Sequence, residues 1–181
     1  MKFTTSVIVT SLLAAGSVLA SPNLEARAGA PQRCADPRSA IPWFRAFNAH
    51  FTDHFYTANH GEFQNAVNNL GYANEGTAAY VFASRQPGTV PFFRDYSARV
   101  HDHFYTANAR ESQNAVKNLG YAAEGITGWI YPDSACGGVP LYRLYNSRQA
   151  DHFYTTSAAE RDSATRLGYT QEGIAGYVLP Y

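Results

Sequence analysis

Apolar and polar residues follow the same short pattern three times along this chain of 181 residues. Each copy begins with an aromatic segment, such as residues 43–47, and continues with Asp-His-Phe-Tyr-Thr, first at residues 53–57. In an extended strand, successive side chains alternate between two faces. His54 and Tyr56 therefore share one face, and Phe55 lies on the other. Both segments are predicted to be strands.

After the second segment the apolar period changes from two to that of a helix. Phe63, Ala66 and Leu70 fall on one helical face. Each predicted helix starts with a polar N-cap and a glutamate three residues later, which together form a capping box; the pairs are Asn59 with Glu62, Asn108 with Glu111, and Ser157 with Glu160. A Leu-Gly-Tyr sequence follows, and its glycine is a typical helix stop. A Glu-Gly turn and a last strand, such as residues 126–131, complete the unit.

The copies recur at nearly constant spacing. The Asp-His-Phe-Tyr-Thr segment returns at residues 102–106 and 151–155, an interval of 49 residues each time. Leu-Gly-Tyr occurs at residues 70–72, 119–121 and 167–169, so the third helix has lost one residue. We predict a single domain over residues 31–181, built from repeats 41–89, 90–138 and 139–181.

A unit of this size cannot bury a core alone, so the three units are expected to pack around a pseudo-threefold axis. The predicted class is β-rich α+β. We expect a closed, β-trefoil-like domain with one short helix per repeat, and a small propeller is the alternative.

The first thirty residues are interpreted as processing segments. Lys2, an apolar stretch at residues 7–19 and Val18-Leu19-Ala20 indicate a secretory signal peptide over residues 1–20. Residues 21–30 are interpreted as a linker or short pro-segment. No later stretch is long and apolar enough to span a bilayer.

A secreted protein with two cysteines is expected to form one disulfide, here Cys34–Cys136.

Composition narrows the possible functions. Lys plus Arg and Asp plus Glu both number 14, so the chain lacks the basic excess of a nucleic-acid or membrane-surface binder. The 13 tyrosines and 11 phenylalanines suit contact with sugars or proteins, since a tyrosine ring offers apolar area and a hydroxyl. They equally suit the core of a β-rich domain.

The repeated polar residues are the candidate ligand contacts. Each copy offers Asp, His, Tyr and Glu at fixed offsets, and a sugar needs an aromatic platform with donors and acceptors for its hydroxyls. We predict up to three similar pockets, lined by Asp53, His54, Tyr56 and Glu75, by Asp102, His103, Tyr105 and Glu124, and by Asp151, His152, Tyr154 and Glu172. The expected partner is a glycan or cell-surface polymer, which several weak sites would bind through avidity.

Other interpretations of the same residues stay open. Asp of each motif could pair with a repeated arginine, Arg45, Arg94 or Arg143, and serve stability alone. Paired glutamates suit a cell-wall or glycoside hydrolase, and three converging histidines would suit a metal. No repeated Ser or Cys stands as a nucleophile. We therefore assign no catalytic residue, metal or cofactor, and a structural or effector protein without a small ligand is the third possibility.

The combination of Asp-His-Phe-Tyr-Thr, Leu-Gly-Tyr and Glu-Gly motifs, in three copies over residues 41–181, resembles a secreted repeat family of unknown function. That family occurs in fungi and bacteria, alone or appended to hydrolases. The resemblance implies an extracellular domain, often an accessory module, and brings no established catalytic residues with it.

Overall fold

The computed structural model describes residues 34–180, and the predicted signal peptide and linker lie outside the described residues. The first repeat contains β1 (Ala40–Asn48), β2 (Asp53–Thr57), α1 (His60–Asn69) and β3 (Ala73–Phe82). The second contains β4 (Val90–Ser97), β5 (Asp102–Thr106), α2 (Ala109–Asn118) and β6 (Ala122–Ile130). The third contains β7 (Val139–Asn146), β8 (Asp151–Thr155), α3 (Ala158–Arg166) and β9 (Thr170–Val178). Short 3₁₀ turns lie at Pro37–Ser39 and Ser134–Cys136.

Each repeat forms a three-stranded antiparallel sheet with its first strand in the middle, in the orders β2-β1-β3, β5-β4-β6 and β8-β7-β9. The pair Phe82–Trp129 joins the first two into one six-stranded sheet. The third sheet meets the others through the bridges Tyr80–Leu179 and Tyr131–Tyr177. The predicted β-rich class with three short helices is confirmed, whereas this strand pairing establishes neither a trefoil nor a propeller.

The predicted Glu-Gly turn is wrong, because these residues lie inside the last strand of each repeat. In β6 the partners step from Ala123 to Gly125, which leaves Glu124 as the extra residue of a β-bulge. Glu172 is skipped in the same way in β9. Gly125 and Gly173 have φ of 101° and 110°, which glycine adopts without steric cost. A bulge redirects the side chain of the extra residue, and this positions the repeated glutamates.

The core is built from equivalent residues of the three repeats. Apart from Ala79, the buried members of its main cluster fall into sets of three, namely Trp43, Phe92 and Leu141; Tyr56, Tyr105 and Tyr154; and Val81, Ile130 and Val178. The last strands approach closely: a Cβ on Gly176 would lie 2.4 Å from Ile130 Cδ1. Close packing of this kind makes each repeat depend on the others.

The helix starts agree with prediction only in part. The Asn59, Asn108 and Ser157 side chains accept hydrogen bonds from the N–H groups of the glutamates three residues later. The Glu160 carboxylate does not return to the cap, because it binds Thr155 and Arg45 instead. The capping box is therefore half formed, and the glutamate carboxylate contacts the neighbouring repeat instead.

The helix ends also differ from prediction. Phe63 and Ala66 are buried, but the leucines predicted to share their face are exposed by 55%, 54% and 76% at Leu70, Leu119 and Leu167. The missing residue tightens the last turn of α3, where the Leu167 N–H bonds to Ala164 three residues back rather than four.

The predicted disulfide between Cys34 and Cys136 is present, with Cα atoms 5.5 Å apart. It fastens the segment before the first repeat to the connection between the second and third. Among residues 34–180, no helix is long and apolar enough to cross a bilayer.

Candidate functional site

The three repeated tyrosines form a closed hydrogen-bonded ring. Tyr105 Oη accepts from the Tyr56 N–H at 2.7 Å and donates to the Tyr56 carbonyl at 2.9 Å. Tyr154 does the same to the Tyr105 backbone, and Tyr56 does the same to the Tyr154 backbone. The rings meet edge to face at 5.3–5.6 Å. All three are fully buried, and burial raises the pKa of each hydroxyl well above its usual value.

A second ring links each motif aspartate to the histidine of another repeat. Asp53 accepts from both the backbone N–H and Nδ1 of His103; Asp102 binds His152, and Asp151 binds His54 in the same way. Each aspartate also accepts from a tyrosine hydroxyl of its own repeat, Tyr72, Tyr121 or Tyr169. The three carboxylates are buried, with one oxygen of each lying within 4.8 Å of the others.

These rings correct two sequence-based expectations. Tyr56, Tyr105 and Tyr154 have no exposed surface, so they cannot be platforms for a sugar. Asp53, Asp102 and Asp151 are likewise buried and hold histidines rather than arginines, so the predicted Arg–Asp pairing is wrong. It is the aspartates rather than the histidines that converge. Each carboxylate already accepts three hydrogen bonds, and this geometry supports no metal assignment.

The predicted His and Glu residues do meet, at the joints between repeats. At the joint of repeats 1 and 2, Arg94 forms a bidentate pair with Glu62, with N···O distances of 2.9 and 2.8 Å. Arg94 Nε lies 2.7 Å from Glu124, at an angle too poor for a hydrogen bond, so this contact is an ion pair. The same glutamate lies 3.8 Å from His103 Nε2.

The other two joints repeat this arrangement. Arg143 joins Glu111 and Glu172 between repeats 2 and 3, and Arg45 joins Glu160 and Glu75 between repeats 3 and 1. Each guanidinium also lies 5.1–5.3 Å from a phenylalanine ring of the preceding repeat, Phe55, Phe104 or Phe153. The cyclic order makes repeat 3 the neighbour of repeat 1.

Electrostatics hold these ion pairs in their charged forms. Burial disfavours ionisation of Glu62, but hydrogen bonds from Arg94 and Thr57 outweigh it and hold the pKa below its ordinary value. The same balance lowers the pKa of Glu111 and of Glu160. Burial opposes the charge on Arg94 as well, yet Glu62 and other nearby groups raise its pKa.

Two kinds of cavity lie beside the Arg–Glu pairs, and both kinds are present at the 3/1 and 1/2 joints. One, here called the aromatic cleft, is lined by the Arg, Glu, His and Phe of the joint together with the leucine and tyrosine of Leu-Gly-Tyr. It measures about 480 Å³ between repeats 3 and 1, and about 200 Å³ between repeats 1 and 2. The other, here called the helix-start groove, lies beside the N-terminal helix residues and measures about 760, 290 and 190 Å³ at the 2/3, 3/1 and 1/2 joints.

Several cleft residues were missed from the sequence. Strand alternation places the phenylalanines only on a strand face, and the helical period places the Leu-Gly-Tyr leucines in the helix core. The sequence singles out the arginines but pairs them with aspartate, whereas the structure pairs them with glutamate. All of these cleft residues recur at nearly constant spacing in the three copies, and this regularity is the sequence signal that could have identified them. The exposed leucines Leu70, Leu119 and Leu167 share the same regularity.

Comparison with known proteins shows which family the chain matches. No curated protein and no solved structure matches the chain. A family model described as Domain of unknown function (DUF5648) matches residues 42–179, which include strands β1 to β9 and helices α1 to α3 except the first two residues of β1. The chain therefore belongs to the DUF5648 family.

Proposed function

We propose that this protein is a secreted, non-catalytic binding module that holds sugar units of a polysaccharide or cell-surface glycan in clefts at the joints between its repeats. The observation that carries the proposal is the recurrence of one half-buried Arg-Glu-Glu-His set beside a phenylalanine at all three joints.

The chemistry of the aromatic cleft matches what a sugar requires. Glu75, Glu124 and Glu172 have side chains that are 30% exposed, so their carboxylates can accept hydrogen bonds from hydroxyl groups. The exposed leucines and the tyrosine edges offer apolar surface to the C–H face of a sugar ring. The contacts to Arg fix the carboxylates before a ligand arrives, which reduces the entropy lost on binding.

Other features argue against catalysis at these joints. His103 Nδ1 is occupied by Asp53 and its Nε2 faces Glu124, so no hydroxyl or thiol nucleophile is paired with it. A glycosidase acid needs a raised pKa, whereas the pKa of Glu62 is lowered. A hydrolase therefore stays the second candidate, and a structural protein without a small ligand the third.

The test measures retention of the secreted protein on a glycan array and on insoluble polysaccharides. Glu75→Gln, Glu124→Gln and Glu172→Gln are combined as single, double and triple variants, with the exposed Lys117→Ala as the control. Each change removes a charge-assisted acceptor, worth about 1.5–3 kcal/mol at its cleft. Retention on the best-bound glycan should therefore fall in steps, while the control binds normally.

Three results would contradict the proposal. Unchanged retention by a folded triple variant would mean that the clefts do not bind the glycan. Release of soluble sugars from the same polysaccharides, abolished by a change at one joint, would favour the hydrolase. Absence of retention on every glycan tested would favour the structural protein.

A further inference from the structure

The aromatic clefts at the 3/1 and 1/2 joints are not identical, and the difference favours the cleft at the 3/1 joint. We propose that the aromatic cleft between repeats 3 and 1 is the main ligand site, and that it takes a sugar carrying no anionic group. This inference rests on the proposed function and deepens it, since it names the site and the class of ligand.

Size favours this cleft over its equivalent at the joint of repeats 1 and 2. Small-molecule sites usually enclose about 300–1,000 Å³. The cleft at the 3/1 joint measures about 480 Å³, and the one at the 1/2 joint about 200 Å³. Only the larger of these two falls within the usual range.

The residues at one end of the cleft explain the difference in size. At the 3/1 joint this end is lined by Phe47 and Thr52. The equivalent residues at the 1/2 joint are Tyr96 and His101, and the Tyr96 hydroxyl lies 3.1 Å from His101 Nδ1. The hydrogen-bonded Tyr96 and His101 side chains therefore close this end of the cleft at the 1/2 joint. Phe47 and Thr52 leave the same end of the cleft at the 3/1 joint open.

Residues on the opposite wall also make the cleft at the 3/1 joint larger than the cleft at the 1/2 joint. Ser163 lines the larger cleft, whereas the longer Asn65 occupies its equivalent position in the smaller one. Helix α3 is also one residue shorter than α1, and its last turn is tighter. Leu167, at the end of α3, is 76% exposed, against 55% for Leu70. The larger cleft consequently has a more open, apolar rim.

The charge of the lining defines the ligand class. Glu75, Glu160 and the buried Asp151 contribute three carboxylates around Arg45 and His54. Negative charge is in excess whether or not the imidazole is protonated. Both oxygens of Glu160 are already bound by Arg45, whereas the half-buried Glu75 contacts Arg45 through one oxygen. The cleft therefore attracts hydroxyl or ammonium donors and repels a sugar carboxylate, sulfate or phosphate.

The experiment uses the exposed leucines as reporters, since one stands at each joint. Methyl groups of Leu70, Leu119 and Leu167 are followed by NMR while three trisaccharide probes are added: N-acetylglucosamine (neutral), glucosamine (cationic) and galacturonic acid (anionic). We expect the Leu167 signal to titrate with the neutral or the cationic probe at a dissociation constant at least tenfold lower than Leu70. The anionic probe should shift none of the three.

Exchanging residues between copies tests the physical cause. Phe47→Tyr with Thr52→His should close the larger cleft and remove the tenfold preference of Leu167. Tyr96→Phe with His101→Thr should open the smaller cleft and bring Leu70 to similar affinity. If either double variant fails to fold, Ser163→Asn narrows the larger cleft from its other wall by a single surface change, and should weaken binding at Leu167.

The outcomes separate the two proposals. Equal titration at all three leucines would overturn the dominant site while leaving the binding module intact. Preference for the anionic probe would overturn the ligand class. A preference for Leu167 that survives in folded exchange variants would overturn the assigned cause. No response to any probe at any leucine would overturn both the inference and the proposed function.

Discussion

The buried rings of Tyr56, Tyr105 and Tyr154 and of Asp53, Asp102 and Asp151, here together called the axis, differ from the aromatic clefts in how their polar groups are satisfied, although the Asp-His-Phe-Tyr-Thr strand contributes residues to both. On the axis, the Tyr56 hydroxyl and the Asp53 carboxylate are buried, and each has hydrogen-bond partners within the protein. In the clefts, Glu124 and Leu70 are partly exposed beside a cavity. Packing alone explains why the axis residues are repeated in each copy. The repeated cleft residues are partly exposed, and packing does not account for that exposed surface.

A residue repeated in all three copies can serve either packing or an exposed site. A tyrosine that returns every 49 residues suggested three ligand platforms, but the same regularity is what a closed ring of three hydrogen-bonded partners needs. The exposed leucines recur almost as regularly, and no core contact accounts for them.

Removing one ring tyrosine should be the most damaging change. Tyr105→Ala leaves a cavity in the core and unpairs the Tyr56 backbone, which together should lower the free energy of unfolding by about 3–5 kcal/mol. Leu119→Ala, in the exposed part of the same repeat, should change it by no more than about 0.5 kcal/mol. Urea unfolding measures both. Equal losses of unfolding free energy in the two variants would contradict the assignment of Tyr105 to packing and of Leu119 to an exposed surface.

Carboxylates offer a matched pair of smaller changes. Asp102→Asn presents an amide to the His152 N–H and to the Tyr121 hydroxyl, and should lower the free energy of unfolding by about 2–4 kcal/mol. Glu172→Gln alters a partly exposed ion pair with Arg143, and should cost less than about 1 kcal/mol. The order of the two melting temperatures checks this prediction, and the reverse order would contradict it.

Acid should weaken the joints before it affects the tyrosine ring. The pKa values of Glu62, Glu111 and Glu160 are lower in the folded protein than their ordinary value of 4.5. The stability that these groups contribute is present above that value and is lost as the pH falls through the folded pKa. The melting temperature should therefore decline progressively below about pH 4.5.

The control for this acid effect is Glu62→Gln, which cannot titrate. Its melting temperature should fall less steeply with acid than that of the unchanged protein. A slope equal to that of the unchanged protein would show that Glu62 does not contribute to the decline.

The hairpin turns beside the clefts should yield the smallest effect. Thr52, His101 and Ala150 have φ of 54–56°, a conformation that costs non-glycine residues energy. Ala150→Gly should therefore raise the free energy of unfolding by roughly 0.5–1 kcal/mol. Ala159→Gly, in helix α3, should lower it instead. Thermal unfolding compares the two, and a loss of stability in Ala150→Gly would contradict the assigned strain.

Most elements could be predicted because their signals are local. Alternating aromatic residues marked β2, Asn59 and Ser157 marked helix starts, and two cysteines in the described chain allowed one pairing. The Glu-Gly segment was misassigned, since a bulge uses the same residues as a turn and only the partner strand distinguishes them. The candidate site was half predicted: the histidines and bulge glutamates were found, and the phenylalanines and leucines were not.

The amino-acid sequence alone sets the period of three, the order of strands and helices in each repeat, and the chemistry available at each joint. The packing of the repeats against one another then selects which of those residues solvent can reach. Strands β5 and β8 are buried along their whole length, so the alternation that separates an inner from an outer face does not apply to them. Tyr105 and Phe104 are both buried although alternation places them on opposite faces, and Arg94 pairs with Glu62 rather than with Asp53. Both outcomes depend on contacts between repeats, which join residues 32 to 115 positions apart in the chain. Pairings over such separations leave no local pattern, because the energy that selects them comes from closing the three repeats on one another.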